Sequence, residues 1–131
     1  MKTLIAEDDF TSRLLLQKLL EGYGTCHIAV NGREAVEAAR LAIEEGEPYD
    51  LICMDIMMPE MDGQKALGEV RRLEQTSVVS GLGHAKIIMT TALADKANVM
   101  KACEQRCDGF LAKPIQKAKL EEDLRKLELI S

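Results

Sequence analysis

The sequence predicts an α/β fold in which five parallel β-strands alternate with α-helices. Five short apolar runs recur along the 131 residues, which indicates strands. Between the runs, apolar residues recur every three or four positions, which is typical of amphipathic helices. Strands separated by helices pair in parallel, with helices covering both faces of the sheet. We therefore expect residues 1–131 to form one doubly wound domain.

The five apolar runs define the predicted strands. They occupy residues 3–6, 26–30, 51–54, 87–89 and 110–112. The second run is the least apolar, because it contains His27 and follows Thr25, so we expect it at an edge of the sheet. Right-handed crossovers restrict the topology to a few arrangements. Five strand–helix units in a chain of this length fit the flavodoxin-like strand order 2-1-3-4-5.

Each predicted strand is followed by an apolar stripe with helical spacing. In chain order, the stripes consist of Leu16, Leu19, Leu20 and Tyr23; Ala35, Val36, Ala39 and Ile43; Ala66, Leu67, Val70 and Leu73; Val99, Met100, Cys103 and Cys107; and Leu120, Leu124, Leu127 and Ile130. The longest connection, residues 75–85, contains Gly81 and Gly83 and is expected to be an exposed loop. It precedes a strand rather than opening a helix, so it does not resemble a phosphate-binding loop.

Composition excludes several classes of function. The chain has 22 acidic and 17 basic residues, for a net charge of −5, so we do not expect direct contact with nucleic acid. No apolar run has the length of a membrane span, and the first strand starts within three residues, so we expect a cytoplasmic protein. The four cysteines lack the spacing of a metal site and are expected to be small packing residues.

Acidic residues follow two neighbouring strands of the predicted sheet. Ligands of open parallel sheets bind beyond the carboxyl ends of the strands, at the switch point between strands 1 and 3. Strand 1 leads into Glu7-Asp8-Asp9, and strand 3 leads into Asp55. Asp8, Asp9 and Asp55 would repel one another in one crevice, and Mg²⁺ would relieve that repulsion. Alternatively, Asp8 or Asp9 merely caps the first helix, which leaves Asp55 unexplained.

The two remaining strands end in groups that suit an anionic ligand. Strand 4 ends near Thr91, whose hydroxyl can donate a hydrogen bond, and strand 5 ends at Lys113, whose ammonium can pair with an anion. Together with Mg²⁺ and a carboxylate, these groups suit phosphoryl transfer to Asp55. The sequence offers no Ser-His-Asp set for another hydrolytic chemistry.

These segments occur in the order typical of one protein family. They are Glu7-Asp8-Asp9, Met-Asp-Ile-Met-Met-Pro-Glu-Met-Asp-Gly at 54–63, Thr91-Ala92, and Asp-Gly-Phe-Leu-Ala-Lys-Pro at 108–114. In this joint pattern the chain resembles the receiver domains of two-component response regulators, over essentially its whole length. The resemblance implies a signalling switch that catalyses only its own phosphorylation and dephosphorylation, and is otherwise no enzyme.

The resemblance also implies roles for the acidic residues. Asp55 would accept a phosphoryl group from a phosphohistidine. Asp8 and Asp9 would hold Mg²⁺, together with Asp55 and the backbone carbonyl of Met57.

By the same resemblance, Thr91 would hydrogen-bond the phosphoryl group and Lys113 would pair with it. Phe110 would turn inward when Thr91 moves, and the Lys113–Pro114 peptide bond would be cis. Phosphorylation would favour an active arrangement that is already sampled, at the surface of helix 4, strand 5 and helix 5.

The implied partners are proteins. The phosphodonor would be a sensor histidine kinase or a histidine phosphotransfer protein, and the output an unidentified protein target or a further step of a phosphorelay. Because the fifth helix reaches the end of the sequence, we expect a single receiver domain without an output domain, although a fragment of a longer regulator would look the same. Leu14 lies off the main stripe of the first helix, where it is either an ordinary exposed leucine or a docking contact for the donor.

The chain departs from the family pattern at the end of the fourth helix and in the connection before strand 4, which is longer than usual. Arg106-Cys107 replaces the usual Gly-Ala, so the end of the fourth helix lacks its glycine cap. Met57 and Leu93, two residues after Asp55 and Thr91, are both apolar. We expect them to hinder the hydrolytic water and to lengthen the phosphorylated lifetime.

Two other classes of function remain as alternatives. A flavodoxin-like redox protein would bind FMN after strand 1, but Asp8-Asp9 would repel its phosphate and flavin-stacking aromatics are almost absent. A phosphatase of the haloacid-dehalogenase type also phosphorylates an aspartate at a strand end. That family requires a second aspartate two residues later, where this chain has Met57.

Overall fold

A computed structural model describes residues 1–76, 84–92, 96–104 and 106–131. Five parallel strands form one sheet in the order β2-β1-β3-β4-β5, which confirms the predicted fold class and puts the least apolar strand at an edge. The strands are β1 (Thr3–Ala6), β2 (Cys26–Ala29), β3 (Leu51–Asp55), β4 (Lys86–Thr91) and β5 (Gly109–Ala112).

Helices follow each strand, as the periodicity predicted. They are α1 (Phe10–Leu20), α2 (Gly32–Glu44), α3 (Gly63–Thr76), α4 (Lys96–Glu104) and α5 (Lys117–Lys126), with one 3₁₀ turn at Glu21–Tyr23. The predictions about Gly81, Gly83 and Leu93 lie outside the described residues. No helix in the described ranges is long and apolar enough to cross a membrane.

The sheet separates two aliphatic cores, because successive residues of a strand point to opposite faces. The α2–α3 core lies on one face and contains Leu4, Ile52, Met54, Ile87 and Met89, packed against α2, α3 and Ala102 of α4. The α1–α5 core lies on the other and contains Ile5, Cys53, Ile88 and Leu111, packed against Leu16, Leu20, Leu120 and Leu124. Burial of side chains on both faces fixes the register of all five strands.

The described cysteines are packing residues, as expected. Cys26 and Cys53 are free thiols, and Cys107 packs against the α2–α3 core. Cys53 lies in the centre of β3, where complete burial raises the pKa of its thiol to about 12. A fully buried thiol with so high a pKa is protonated at neutral pH, in keeping with a packing residue.

The polar residues of interest lie where the strands end. Asp55 is the last residue of β3 and Thr91 the last of β4, whereas Glu7 directly follows β1. Backbone hydrogen bonds extend the sheet slightly further, from Glu7 N to Ala29 O (3.0 Å) and from Lys113 N to Thr91 O (2.8 Å). We call this rim the carboxyl edge of the sheet.

Candidate functional site

The turn from β1 to α1 separates three consecutive acidic residues. Glu7 is fully buried, whereas Asp8 and Asp9 are exposed. Asp9 is the N-cap of α1, and its carboxylate accepts a hydrogen bond from the backbone N–H of Ser12 at 2.9 Å. This hydrogen bond lowers the pKa of Asp9. Capping, one of the two roles considered for this residue, is therefore what the structure shows for Asp9.

Three carboxylates form the acidic group at the carboxyl edge. Glu7, Asp8 and Asp55 each offer an oxygen, and these oxygens all lie within 4.8 Å of one another. The structure thus brings together Asp8 and Asp55, as predicted, but adds Glu7 and does not place Asp9 in the group. Strand alternation is the signal that points to Glu7, because it lies two residues beyond Ile5 of the α1–α5 core.

Lys113 reaches this group from the end of β5. Its ammonium lies 2.5 Å from Oε1 of Glu7 and 3.3 Å from Oδ2 of Asp55. Burial by itself would lower the pKa of Lys113, but the two carboxylates outweigh burial and raise that pKa. The lysine is therefore charged at neutral pH and holds a fixed positive charge beside Asp55.

One ammonium does not balance three carboxylates. Burial, and then the neighbouring Asp55, raises the pKa of Glu7. Oε1 of Glu7 touches the ammonium but accepts no well-directed hydrogen bond from the described residues. Clustered carboxylate oxygens are the ligands that Mg²⁺ prefers, so the donor set of Glu7, Asp8 and Asp55 fits this ion.

The surroundings of Asp55 are nearly closed. Asp55 is buried, and its Oδ1 lies 3.4 Å from the backbone nitrogen of Met57. The side chain of Met57 is exposed at the rim of the site. The role assigned to the Met57 carbonyl stays a prediction.

The two residues of the predicted switch lie on neighbouring strands. Thr91 is fully buried at the end of β4, and Phe110 of β5 is partly buried against the α2–α3 core. The peptide bond between Lys113 and Pro114 is cis, as expected. The movement that couples Thr91 to Phe110 stays a prediction.

Residues 3–125 match the family model of the response regulator receiver domain. The chain belongs to this family. Receiver domains are the signalling switches of two-component systems rather than conventional enzymes. Membership therefore removes the flavin-binding and haloacid-dehalogenase alternatives, and the acidic group at the carboxyl edge is typical of the family's metal-binding site.

Receiver domains similar to this chain occur in proteins of very different length. The chemotaxis protein CheY of Thermotoga maritima is 34% identical over 128 residues, which cover 96% of both chains. CheY of Bacillus subtilis is 32% identical over 127 residues, with 95% of both chains covered. The osmosensing histidine protein kinase SLN1 of Saccharomyces cerevisiae is 32% identical over 123 residues, but these span 92% of this chain and only 9% of the kinase.

Solved receiver structures superimpose closely on this chain. CheY in the CheX–CheY–BeF3–Mg complex of Borrelia burgdorferi has a TM-score of 0.81 at 25% identity, with 98% of this chain and 89% of that chain covered. The receiver domain of the sensor histidine kinase PA1611 of Pseudomonas aeruginosa has a TM-score of 0.77 at 25% identity, with 97% of each chain covered. In that protein a magnesium ion is coordinated in the active-site cleft.

Proposed function

We propose that this receiver domain is a phosphorylation switch in which Asp55 accepts a phosphoryl group from a phosphohistidine. The observation that carries the proposal is the buried Asp55 carboxylate, which lies 3.3 Å from the Lys113 ammonium and forms one acidic group with Glu7 and Asp8. A family member with this arrangement has a nucleophile, a fixed positive charge and a set of metal ligands within one edge of the sheet.

The chemistry follows from the properties of these groups. A carboxylate oxygen of Asp55 would attack the phosphorus of the phosphohistidine, the P–N bond would break, and the imidazole nitrogen would keep the electron pair. The product is an acyl phosphate on Asp55. The Lys113 ammonium would offset charge on the transferred oxygens, and the Thr91 hydroxyl would donate a hydrogen bond to one of them.

The metal in this proposal is Mg²⁺. When bound, it supplies positive charge for the phosphoryl oxygens. Glu7, Asp8 and Asp55 would hold it, with the Met57 carbonyl as a further ligand. Glu7 takes the place first assigned to Asp9, whose carboxylate caps α1.

The signal would leave through the surface of α4, β5 and α5. We propose that phosphorylation shifts a pre-existing equilibrium, with Thr91 drawn toward the phosphoryl group and Phe110 turning inward behind it. The output would be a protein partner or the next carrier of a phosphorelay. Support for a protein partner comes from the CheY of Borrelia burgdorferi, which was solved in a complex with CheX.

The phosphodonor would be a sensor histidine kinase or a histidine phosphotransfer protein. We propose that it docks on the exposed side of α1, where Phe10 is 66% and Leu14 39% exposed next to the acidic group. The near-complete match to two CheY proteins supports a single-domain cytoplasmic regulator, whereas the kinase matches support a receiver within a longer chain.

Mass spectrometry of the intact protein tests the proposal. The protein is incubated with Mg²⁺ and either acetyl phosphate or a phosphorylated histidine phosphotransfer protein. We expect the mass of one phosphoryl group to be added to the wild type and to Asp50→Asn, but not to Asp55→Asn. Asp50 is a matched control, because it precedes the same strand at the opposite edge of the sheet. A phosphoryl group that persists in Asp55→Asn would refute the assignment.

A further inference from the structure

The hydroxyl of Thr90 lies beside the phosphoacceptor and has no role so far. Thr90 is the penultimate residue of β4 and is only 1% exposed. In the sheet it pairs with Asp55 of β3 on one side and with Leu111 of β5 on the other. Its side chain is therefore a direct cross-strand neighbour of the Asp55 side chain.

Strand alternation puts Thr90 on the same face of the sheet as the charged groups. Ile88, two residues before Thr90, belongs to the α1–α5 core, as do Cys53 before Asp55 and Leu111 before Lys113. Thr91 follows Met89 of the α2–α3 core and lies on the opposite face. The two threonines of β4 consequently lie on different faces of the sheet, so any role of Thr90 is separate from that of Thr91.

The Thr90 hydroxyl lacks a hydrogen-bond partner. Two buried side-chain oxygens of the described residues accept or donate no hydrogen bond, and they are Oγ1 of Thr90 and Oε1 of Glu7. A buried hydroxyl without a hydrogen bond lowers the stability of the folded protein by about 1–3 kcal/mol. Such groups are rare in proteins, so we expect a partner that this hydroxyl can bind. Both unsatisfied atoms belong to neighbours of Asp55, at the carboxyl edge rather than in the aliphatic cores.

Asp55 has free capacity to be that partner. An ionised carboxylate has about four acceptor positions. Among the described residues, Oδ2 of Asp55 lies 3.3 Å from the Lys113 ammonium and Oδ1 lies 3.4 Å from the Met57 nitrogen, with the Glu7 carboxylate also nearby. Neighbouring strands are about 4.8 Å apart, a spacing at which the side chains of paired residues can make contact.

We propose that Thr90 is a positioning residue that donates a hydrogen bond to Oδ2 of Asp55. This bond and the Lys113 ammonium together hold Oδ2, so that Oδ1 is the oxygen presented to the phosphodonor. Thr90 acts through Asp55 and does not touch the phosphoryl group. The inference rests on the proposed phosphorylation of Asp55, and deepens it by distinguishing the two carboxylate oxygens.

Substitutions at Thr90 test this role. Thr90→Val replaces the hydroxyl by a methyl group of similar shape, and Thr90→Ser keeps the hydroxyl and loses the methyl group. Thr3→Val is the matched control, because Thr3 is an equally buried strand threonine at the far end of β1. For each variant we would measure the maximal rate of phosphorylation by acetyl phosphate, the Mg²⁺ dissociation constant and the urea midpoint of unfolding.

We expect Thr90→Val to lower the maximal rate about tenfold, the worth of one hydrogen bond to a charged group. The Mg²⁺ dissociation constant should stay unchanged, and Thr90→Ser and Thr3→Val should keep the wild-type rate.

A wild-type rate in Thr90→Val, above all with a raised urea midpoint, would show that the hydroxyl is merely unsatisfied and would overturn the inference. Equal losses in the Val and Ser variants would also overturn it, because they would trace the effect to packing. Failure of the proposed function is distinct, since the wild type itself would then gain no phosphoryl group.

Discussion

At the residue scale, the chemistry of the site comes from three carboxylates that share one ammonium. Lys113 contacts Glu7 and Asp55, and Asp8 brings the third carboxylate from the exposed side. Such carboxylates repel one another without a cation, and burial, with a further contribution from Asp55, raises the pKa of Glu7. A bound cation would relieve the same repulsion.

Removal of the exposed Asp8 carboxylate should make the free energy of unfolding nearly independent of Mg²⁺. Wild-type stability is expected to rise by about 2.7 kcal/mol when Mg²⁺ is present at about 100 times its dissociation constant. Asp8→Asn should lose most of this gain, yet be at least as stable as the wild type without metal, since one repulsive charge is gone. Urea unfolding with and without Mg²⁺ measures both effects. The exposed Glu47→Gln is the charge-matched control, and an Mg²⁺ response in Asp8→Asn equal to that of the control would contradict the assignment.

The pH dependence of metal-free stability should report on Glu7. Its pKa is raised in the folded state above the ordinary value of 4.5, so the folded protein keeps a proton that the unfolded chain has lost. That stabilisation is complete below about pH 4.5 and disappears as the pH rises through the folded pKa. Glu7→Gln cannot lose this proton. The stability of Glu7→Gln relative to wild type should therefore increase with pH above 4.5 in urea unfolding, and a constant difference would contradict the raised pKa.

Sequence alone predicted part of this site, for physical reasons. Asp55, Thr91 and Lys113 each end or follow a strand, and a parallel sheet brings such residues to one edge. The roles of these acidic residues depend on where α1 begins, because Asp8 belongs to the acidic group whereas Asp9, one residue later, is the N-cap of the helix. The unsatisfied Thr90 hydroxyl could be found only from coordinates.

At the element scale, a buried arginine ties α3 to both strands at the opposite edge of the sheet. Arg71 donates to Glu74 and Asp108 (2.7 Å each) and to the backbone carbonyl oxygens of Ala85 and Arg106 (2.9 Å each). The carboxylates of Glu74 and Asp108 also accept backbone N–H groups at the start of β4. This network holds the segments that lead into β4 and β5.

Loss of Arg71 should therefore be costly. Arg71→Met leaves the buried Glu74 carboxylate without its cation, and we expect a loss of about 3–5 kcal/mol in unfolding free energy. Arg72→Met is the matched control, because Arg72 is exposed and its ion pair with Glu69 is worth at most about 1 kcal/mol. Chemical denaturation of both variants measures the difference, and equal stabilities would contradict the role of the network.

At the end of α4, an arginine occupies the position where a glycine cap is preferred, and its backbone is strained. Arg106 takes a left-handed backbone conformation, with φ of 64°, and the N–H of Cys107 bonds to Ala102 O at 3.1 Å. This is the Schellman arrangement, in which glycine is preferred. The departure noted in the sequence is thus real, but the motif persists with an arginine in the glycine position.

Arg106→Gly should relieve this strain and raise the unfolding free energy by about 1 kcal/mol. Arg106→Ala removes the same side chain and keeps the strain, so it separates backbone conformation from side-chain contacts. Thermal unfolding of the three proteins should rank glycine as the most stable. An alanine variant as stable as the glycine variant would show that the backbone is not strained.

The strands and helices were predictable because both periodicities are strong, and every predicted strand overlaps an observed one. The Arg71 network was not predictable. Its members come from α3, the start of β4 and the segment before β5, and each looks like an ordinary surface charge in the sequence.

At the scale of the whole molecule, the functional site and the Arg71 network lie at opposite edges of the sheet. The carboxyl edge gathers the acidic group and Lys113, and the opposite edge holds the Arg71 network. Strands β4 and β5 join the two edges, with Thr91 the last residue of β4 and Phe110 the second residue of β5. A phosphoryl group at one edge would therefore act on a scaffold that is fixed at the other, which favours movement of the β4 and β5 ends over general loosening.

The central claim, that Asp55 is the phosphoacceptor, is tested most directly by locating the modification. The protein is phosphorylated with acetyl phosphate and Mg²⁺, the acyl phosphate is reduced with borohydride, and the peptides are sequenced by mass spectrometry. The account predicts that Asp55 alone is converted to homoserine, that no conversion occurs without Mg²⁺, and that Asp55→Asn yields none. Conversion at Asp8, Asp9 or any other carboxylate of the wild type, with Asp55 unmodified, would contradict it.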